Sequence, residues 1–359
     1  RIDRTKRHKL VDILIIAICG VISGADSWVD IEMYGKSKLE WLKTFLKLPN
    51  GIPSHDTFGR VFAALNPEEF EKSFLEWVKT IQELTRGQVI AIDGKQLRGS
   101  KDIAEGKEAI YMVSAWATEN QMVLGQRKVD DKSNEITAVP QLLKLLDIHG
   151  CIVTLDALST QTKIAKTIIE QGGDYILAVK ENQGNLYEDI HDLFEDDQKH
   201  DFKDAPYSHV RTVNKDHGRI EIRRCWTVSD PEYLAQIRDL NRWTGIRSLV
   251  MILSERRIGD ETEIQDRYYI TSLESDAEKI LRAKRSYWGI ENRLHWVLDI
   301  AFNEDRSRVR KDNAPQNFAV LRHMALNLLK QEQSIRVGIK GKRLKCGWDT
   351  DYLLRVLAG

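Results

Sequence analysis

Apolar positions recur at helical spacing from residue 8 to about residue 85. The run LVDILIIAICGVISG, residues 10–24, is apolar almost throughout, but it carries Asp12 and closes on glycine. A membrane span needs about 20 apolar residues, so this run predicts a buried helix. SHDTFGRVFAAL predicts a second helix, with Ser54 as its cap after Pro53 and Phe58, Val61, Phe62 and Leu65 on one face. NPEEFEKSFLEWVKTIQEL restarts on Asn66 and Pro67 and buries Phe70, Phe74, Leu75, Trp77, Val78 and Ile81. The short turn between these two helices suits either a helix-turn-helix or a packed hairpin.

The pattern changes at residue 88. QVIAID, AIYMVSAWAT and QMVLGQRKVD read as strands, the last two joined by a tight turn at Glu119-Asn120. NEITAVPQLLKLLDIHG has helical period and a stop at Gly150. CIVTLDA and DYILAVK are further buried strands. Between them STQTKIAKTIIEQGG forms a helix, capped by Ser159 or Thr160 and ended by Gly172-Gly173. Short apolar strands alternating with amphipathic helices imply a mixed α/β sheet covered by helices. Residues 185–275 break the alternation with an acidic helix and two hairpins, one of them around Asp216-His217-Gly218. Helix returns at Asp276 and runs through AEKILRAKRSYWGIENRLHWVLDIAF, with APQNFAVLRHMALNLLKQE after it. The expected organisation is a helical segment over 1–86, a core over 87–184 and 276–332, a β-rich insertion over 185–275, and a basic tail over 333–359.

Composition adds little at the bulk level: 359 residues, 42% apolar, 30% charged, formal net charge zero. The charge is unevenly placed. Residues 1–9 hold Arg1, Arg4, Lys6, Arg7 and Lys9 against Asp3, and residues 335–345 hold Arg336, Lys340, Lys342, Arg343 and Lys345 against no acid. Residues 181–204 hold nine acids and two lysines. Such blocks are solvated faces, or, where basic, tracks for phosphates. Cys19, Cys151, Cys225 and Cys346 are too far apart in sequence to pair as metal ligands, which fits a reduced cytoplasmic protein with no membrane segment. A first residue of Arg1 leads us to expect a longer natural N-terminus.

The chemistry concentrates at strand ends. VIAID ends on Asp93, and TLDALSTQ places Asp156 at the end of another strand. If those strands are parallel neighbours, the two carboxylates emerge on one edge, and their repulsion is relieved by a hard divalent cation. Two such ions about 4 Å apart suit phosphodiester cleavage. Lys95, Arg98 and Lys180, just past strand ends, would hold phosphates. A third ligand is sought in YWGIENRLHWVLD, where Glu291, His295 and Asp299 recur every four residues on one face. The plainer reading pairs Glu291 with Arg285 and makes His295 a core histidine. Asp93 in a turn and Asp156 near a helix start also have plain structural readings.

Together AIDGKQLRGS, KSNEITAVPQLL, TLDALSTQ, GGDYILAVKENQGNL, HGRIEIRRCW and YWGIENRLHWVLDIAFNEDRSRVRKDNAPQNFAVLRHMALNLLK closely resemble the H-repeat-associated, Rhs-linked transposases of bacterial insertion sequences. These are DDE transposases with a ribonuclease H-like core, and the resemblance runs from about residue 8 to the C-terminus. It implies that Asp93, Asp156 and Glu291, spaced by 63 and 135 residues, are the catalytic and metal-holding acids. It implies two Mg2+ (or Mn2+) ions per site, and double-stranded DNA as partner, as terminal inverted repeats and as target. It also implies a homodimer on DNA and action at the nucleoid. Phosphate and DNA contacts are expected from Lys95, Arg98, Lys180, Asn292, His295 and Arg308. One departure stands out: many relatives carry a lysine seven residues after the glutamate, and Leu298 stands there here. Trp288 and Trp226 are candidates for stacking on a flipped base, or core residues.

Two rival functions fit parts of the chain. One is another metal-dependent nuclease, using the acid-x-lysine pair Asp93 and Lys95. The other is a domesticated, catalytically silent DNA-binding protein.

Overall fold

The computed structural model describes residues 7–81, 86–130, 134–202, 206–216 and 218–358. Helices come first: α1 (Leu10–Ile22), α2 (Trp28–Ser37), α3 (Leu39–Leu42), α4 (His55–Ala64) and α5 (Pro67–Ile81). Short polar side chains start three of them, the Ser27 hydroxyl accepting from the Asp30 N–H at the head of α2. The Ser54 hydroxyl accepts from the Thr57 N–H, and Asn66 Oδ1 accepts from the Glu68 N–H at 2.9 Å. Arg1, Arg4, Lys6, His217 and the predicted end of α5 at 82–85 lie outside the described residues.

The next elements are β1 (Val89–Gln96), β2 (Tyr111–Ala117), β3 (Met122–Lys128), α6 (Glu135–Leu143), β4 (Ile152–Leu155), α7 (Thr162–Glu170) and β5 (Asp174–Val179). After them come α8 (Asn185–Lys199), β6 (Ser208–Asp216), β7 (Arg219–Val228), α9 (Pro231–Leu234), β8 (Ser248–Ile258) and β9 (Glu261–Thr271). All nine strands join one mixed sheet, in the order β3-β2-β1-β4-β5-β9-β8-β7-β6. β1 is antiparallel to β2 and parallel to β4, and β4 is parallel to β5. β9 pairs antiparallel with β5, so the strands of 185–275 extend this same sheet.

One local expectation needs refining and two need correcting. The turn expected at Glu119-Asn120 does fall there but takes four residues, 118–121, and closes on Gln121 in the left-handed region at φ 54°. α6 stops at Leu143, because Leu145 and Leu146 N–H groups bond three residues back and tighten the chain; Gly150, at φ 71°, then turns it into β4. α7 has Gln161 at its N-cap with no side-chain bond, since Ser159 and Thr160 are engaged elsewhere. The Thr160 hydroxyl donates to the Ala178 carbonyl at 2.6 Å.

The sheet has two buried faces. Ile90, Val153, Tyr175 and Leu177 pack with Ile164 and Ile168 of α7 and Leu142 of α6. The alternate residues Val89, Ile152 and Ile176 pack with Ala277, Ile280 and Leu281. Those last three belong to α10 (Ala277–Ile290), which leads through a five-residue π turn, Glu291–His295, into α11 (Trp296–Phe302). α12 (Ala314–Gln331) follows and is buried on nearly all sides against α1, α4, α5 and β3. Asn317 Nδ2 donates to the carbonyls of Phe62 and Leu65, which seals the end of α4. The Asn327 amide accepts from Val123 N–H and donates to Val123 C=O, both at 2.9 Å, so edge strand β3 is covered.

The chain closes with α13 (Ile339–Trp348) and α14 (Thr350–Ala358). Part of the expected basic tail faces inward. Lys342 donates to the Leu329 carbonyl at 2.9 Å. Arg343 donates to the carbonyls of Val21, Ala25 and Ala301 and pairs with Asp26 at 2.9 Å. Arg336 and Lys340 are exposed. All four cysteines are buried and free. Among the described residues no helix is long and apolar enough to cross a membrane.

Candidate active site

Strand register brings the first two acids together. Ala91 of β1 pairs with Thr154 of β4, so Asp93 and Asp156 each stand two residues past a matched pair. Period two keeps both on the face that α10 covers. Glu291, at the end of α10, opens the π turn and is exposed. Such turns hold one more residue than an α-helix would and cluster at functional sites. The Tyr287 hydroxyl donates to Asp93 Oδ1 at 3.3 Å. His295 Nδ1 lies 3.5 Å from Asp93 Oδ2.

Burial and like charge set the protonation states. Burial pushes the Asp93 carboxyl up to about 7, and Glu135, Asp156 and Glu291 add to the push. Burial holds His295 down at about 4, with Lys95 helping, so its ring is neutral at physiological pH. Burial also depresses Lys284 to about 7, against the pull of Asp156, Asp93 and Glu291. The Lys284 ammonium lies 4.0 Å from the Tyr287 ring centre and 3.4 Å from Thr154 Oγ1, beneath the acids. Burial and those acids raise the Tyr287 hydroxyl far above its ordinary range, which keeps it a donor.

The expected contact residues separate into two groups. Lys95 is half-buried and turned inward, bonded to Asp299 and to Glu304 at 2.9 Å, with Asp305 at 3.4 Å. Its charge is consumed there. His295 likewise faces Asp93, and its Nε2 is buried without a hydrogen-bond partner. By contrast Arg98, Lys180, Asn292 and Arg308 are exposed. The backbones at Gly99 and Ser307 touch so closely that a Cβ on Gly99 would meet the Ser307 carbonyl at 2.3 Å. That contact puts Arg98 and Arg308, each next to it in sequence, on one edge. Lys180 and Asp156 line a common groove of about 600 Å³ with Tyr187 and Arg267. Among the described residues Glu291 has no ion pair with Arg285 or any other cation. Trp226 is stacked on Phe202 at 4.6 Å, whereas Trp288 is 47% exposed beside Arg267.

Sequence reasoning missed Glu135 and Lys284. An acid in the first turn of a helix and a lysine on an amphipathic helix both look like ordinary solvated positions.

A family model of the transposase DDE domain matches residues 84–328, and one described as DDE_Tnp_1-associated matches residues 1–78. The chain belongs to the DDE transposase family. The transposase is 41% identical over 356 residues to the H repeat-associated putative transposase YhhI of Escherichia coli K12, covering 98% of this chain and 93% of that one. It is 43% identical over 358 residues to the putative transposase YncI of Escherichia coli O157:H7, covering 98% and 90%. A piggyBac transposase solved by cryo-EM in a synaptic complex with hairpin DNA aligns with a TM-score of 0.43 and 11% identity, over all of this chain and 76% of that one. That likeness is too loose to bear on the fold.

The transposase's acids fit a hard cation. Asp93, Asp156 and Glu291 offer only oxygen donors, and their mutual repulsion at Asp93 is what a divalent ion relieves. The set is open: among the described residues only His191, Asp192 and Glu195, on the surface of α8, bring three ligand atoms within 4.8 Å of one another.

Proposed function

We propose that this transposase cuts the ends of an insertion element and joins the freed 3′-hydroxyls to target DNA, using Asp93, Asp156 and Glu291. The observation that carries the reading is the convergence of these three acids on one sheet face, from three elements far apart in sequence. The strand order β3-β2-β1-β4-β5, with β1, β4 and β5 parallel, supports a ribonuclease H-like core within 87–184 and 276–332. The helical segment 1–86, the insertion 185–275 and the tail 333–359 surround it.

The three acids would hold Mg2+ or Mn2+, two ions, which when bound activate the attacking oxygen and stabilise the leaving one. Tyr287 orients Asp93 by donating to it, and neutral His295 fills its other side without adding charge. Lys284 offsets part of the carboxylate repulsion from below. Arg98, Arg308, Lys180 and Asn292 track DNA phosphates from the exposed rim. Lys95, held by three carboxylates, ties the end of β1 to the segment after α11. The rival nuclease reading needs that lysine at the scissile phosphate, and it faces away from solvent instead.

The test is cleavage of a supercoiled plasmid carrying the native element ends, in Mg2+, Mn2+ and EDTA. We expect metal-dependent nicking and joining that falls about a hundredfold or more in Asp156→Asn. If neither protein cuts the native ends in any metal while both bind them equally, the silent DNA-binding reading replaces this one. Because two ends must meet, we expect dimers on paired ends. Sedimentation of one chain per joined pair sinks that part.

A further inference from the structure

A fourth acid stands at this centre. Glu135, the first residue of α6, is only 8% exposed. Its Oε1 lies so near the Gly94 backbone that a Cβ there would meet it at 2.4 Å, and would meet the Tyr111 ring at 2.3 Å. Gly94 directly follows Asp93, so glycine at this position is what lets Glu135 pack against the β1 backbone beside that acid. Glu135 Oε2 accepts from the Ser159 hydroxyl at 3.2 Å. The Ser159 N–H in turn binds Asp156 Oδ1 at 3.0 Å. Glu135 therefore touches the β1 backbone next to Asp93 and the loop that carries Asp156.

Among the described residues no lysine or arginine pairs with Glu135; its partners are the neutral hydroxyls of Ser159 and Tyr111. Burying a carboxylate without a cation is costly. A helix-start acid gains its favourable dipole interaction equally well at the surface. The fold places this one inside, and against Asp93, where it worsens the repulsion of the metal-free site.

We propose that Glu135 is a fourth cation-holding carboxylate of the catalytic centre, beside Asp93 and Asp156. This rests on the metal-dependent reading above. Glutamine tests it, because its amide oxygen still accepts from one of the two hydroxyls, its NH2 can donate to the other, and the charge is removed.

Full-length wild type, Glu135→Gln and Asp156→Asn are titrated with Mn2+ alone at neutral pH, into the millimolar range. Free Mn2+ is read by electron paramagnetic resonance, and Tm is read in EDTA and in Mn2+. We expect wild type to bind, Asp156→Asn to lose binding, and Glu135→Gln to bind about tenfold or more weakly. The Tm of Glu135→Gln in EDTA should equal or exceed that of wild type. Glu135→Gln binding Mn2+ like wild type, while Asp156→Asn does not, overturns the proposal and leaves the metal reading standing. No wild-type binding that Asp156→Asn removes overturns both. If Glu135→Gln melts below wild type in EDTA, Glu135→Asp decides. Affinity better kept in Glu135→Asp than in Glu135→Gln supports a charge role, and equal loss in the two overturns it.

Discussion

Asp93 sits where three other carboxylates and a buried ammonium compete, and its behaviour should be measurable without DNA. Its folded pKa, about 7, lies above the ordinary 3.8. The folded protein thus binds more protons than the unfolded chain between about pH 4 and 7, so this group lowers stability as pH rises through that window. In EDTA, Asp93→Asn should match wild type near pH 4 and exceed it above pH 7, by up to about 4 kcal/mol. Urea melts at pH 4.5 and 8 check this; a gap that shrinks with rising pH contradicts it. At this scale the sequence was half legible. Asp93 and Asp156 could be read because an apolar strand that stops on an acid is conspicuous. Lys95 was read as a cation near that end, but its partners Asp299, Glu304 and Asp305 lie more than 200 residues away in sequence, where no local pattern reaches. Glu135 and Lys284 were hidden because burial, not residue type, makes them unusual.

At the level of elements, strands and helices followed their periods of two and 3.6 closely. Caps were legible where the side chain had nothing better to bond, as at Ser54 and Asn66. The caps proposed for α7 failed because Ser159 and Thr160 serve Glu135 and the β5 end. The π turn was not legible at all: AEKILRAKRSYWGIENRLHWVLDIAF keeps one apolar face, and an extra residue at Glu291–His295 leaves no compositional mark. That extra residue aims Glu291 and His295. Deleting exposed Asn292 should restore a plain α-helix, with α10 and α11 still seated. We expect the variant to fold, with Tm within about 5 °C of wild type, yet to lose cleavage about a hundredfold. Full activity in the deletion would mean that the turn is incidental.

Across the whole molecule, the first and last segments of the chain lock each other. Arg343 of α13 holds three backbone carbonyls from α1, the loop after it, and α11, and its guanidinium lies 4.2 Å from the Phe302 ring. Replacing it strips a bond from each of those carbonyls and takes the counter-charge from Asp26, which keeps only the Asn303 amide. Arg343→Met should cost about 3 kcal/mol or more by urea denaturation. A loss under about 1 kcal/mol would make the closing helices peripheral. A run of basic residues gives no hint of this, since a buried arginine and a DNA-facing one are spelled alike.

The single sheet has a mechanical consequence. β8 and β9 stay paired through eleven registered positions, from their root beside β5 out to the turn at Gly259. The last three residues of β8 and the first six of β9 are exposed, so with β7 alongside they form a cantilever cut from the same board as the catalytic strands. β5, on which this lever is mounted, is also the direct neighbour of β4, the strand that ends at Asp156. A load at the tip has no hinge to absorb it within the ladder and would reach the second acid as twist. Holding the substrate and aiming the carboxylate would then be one degree of freedom, not two.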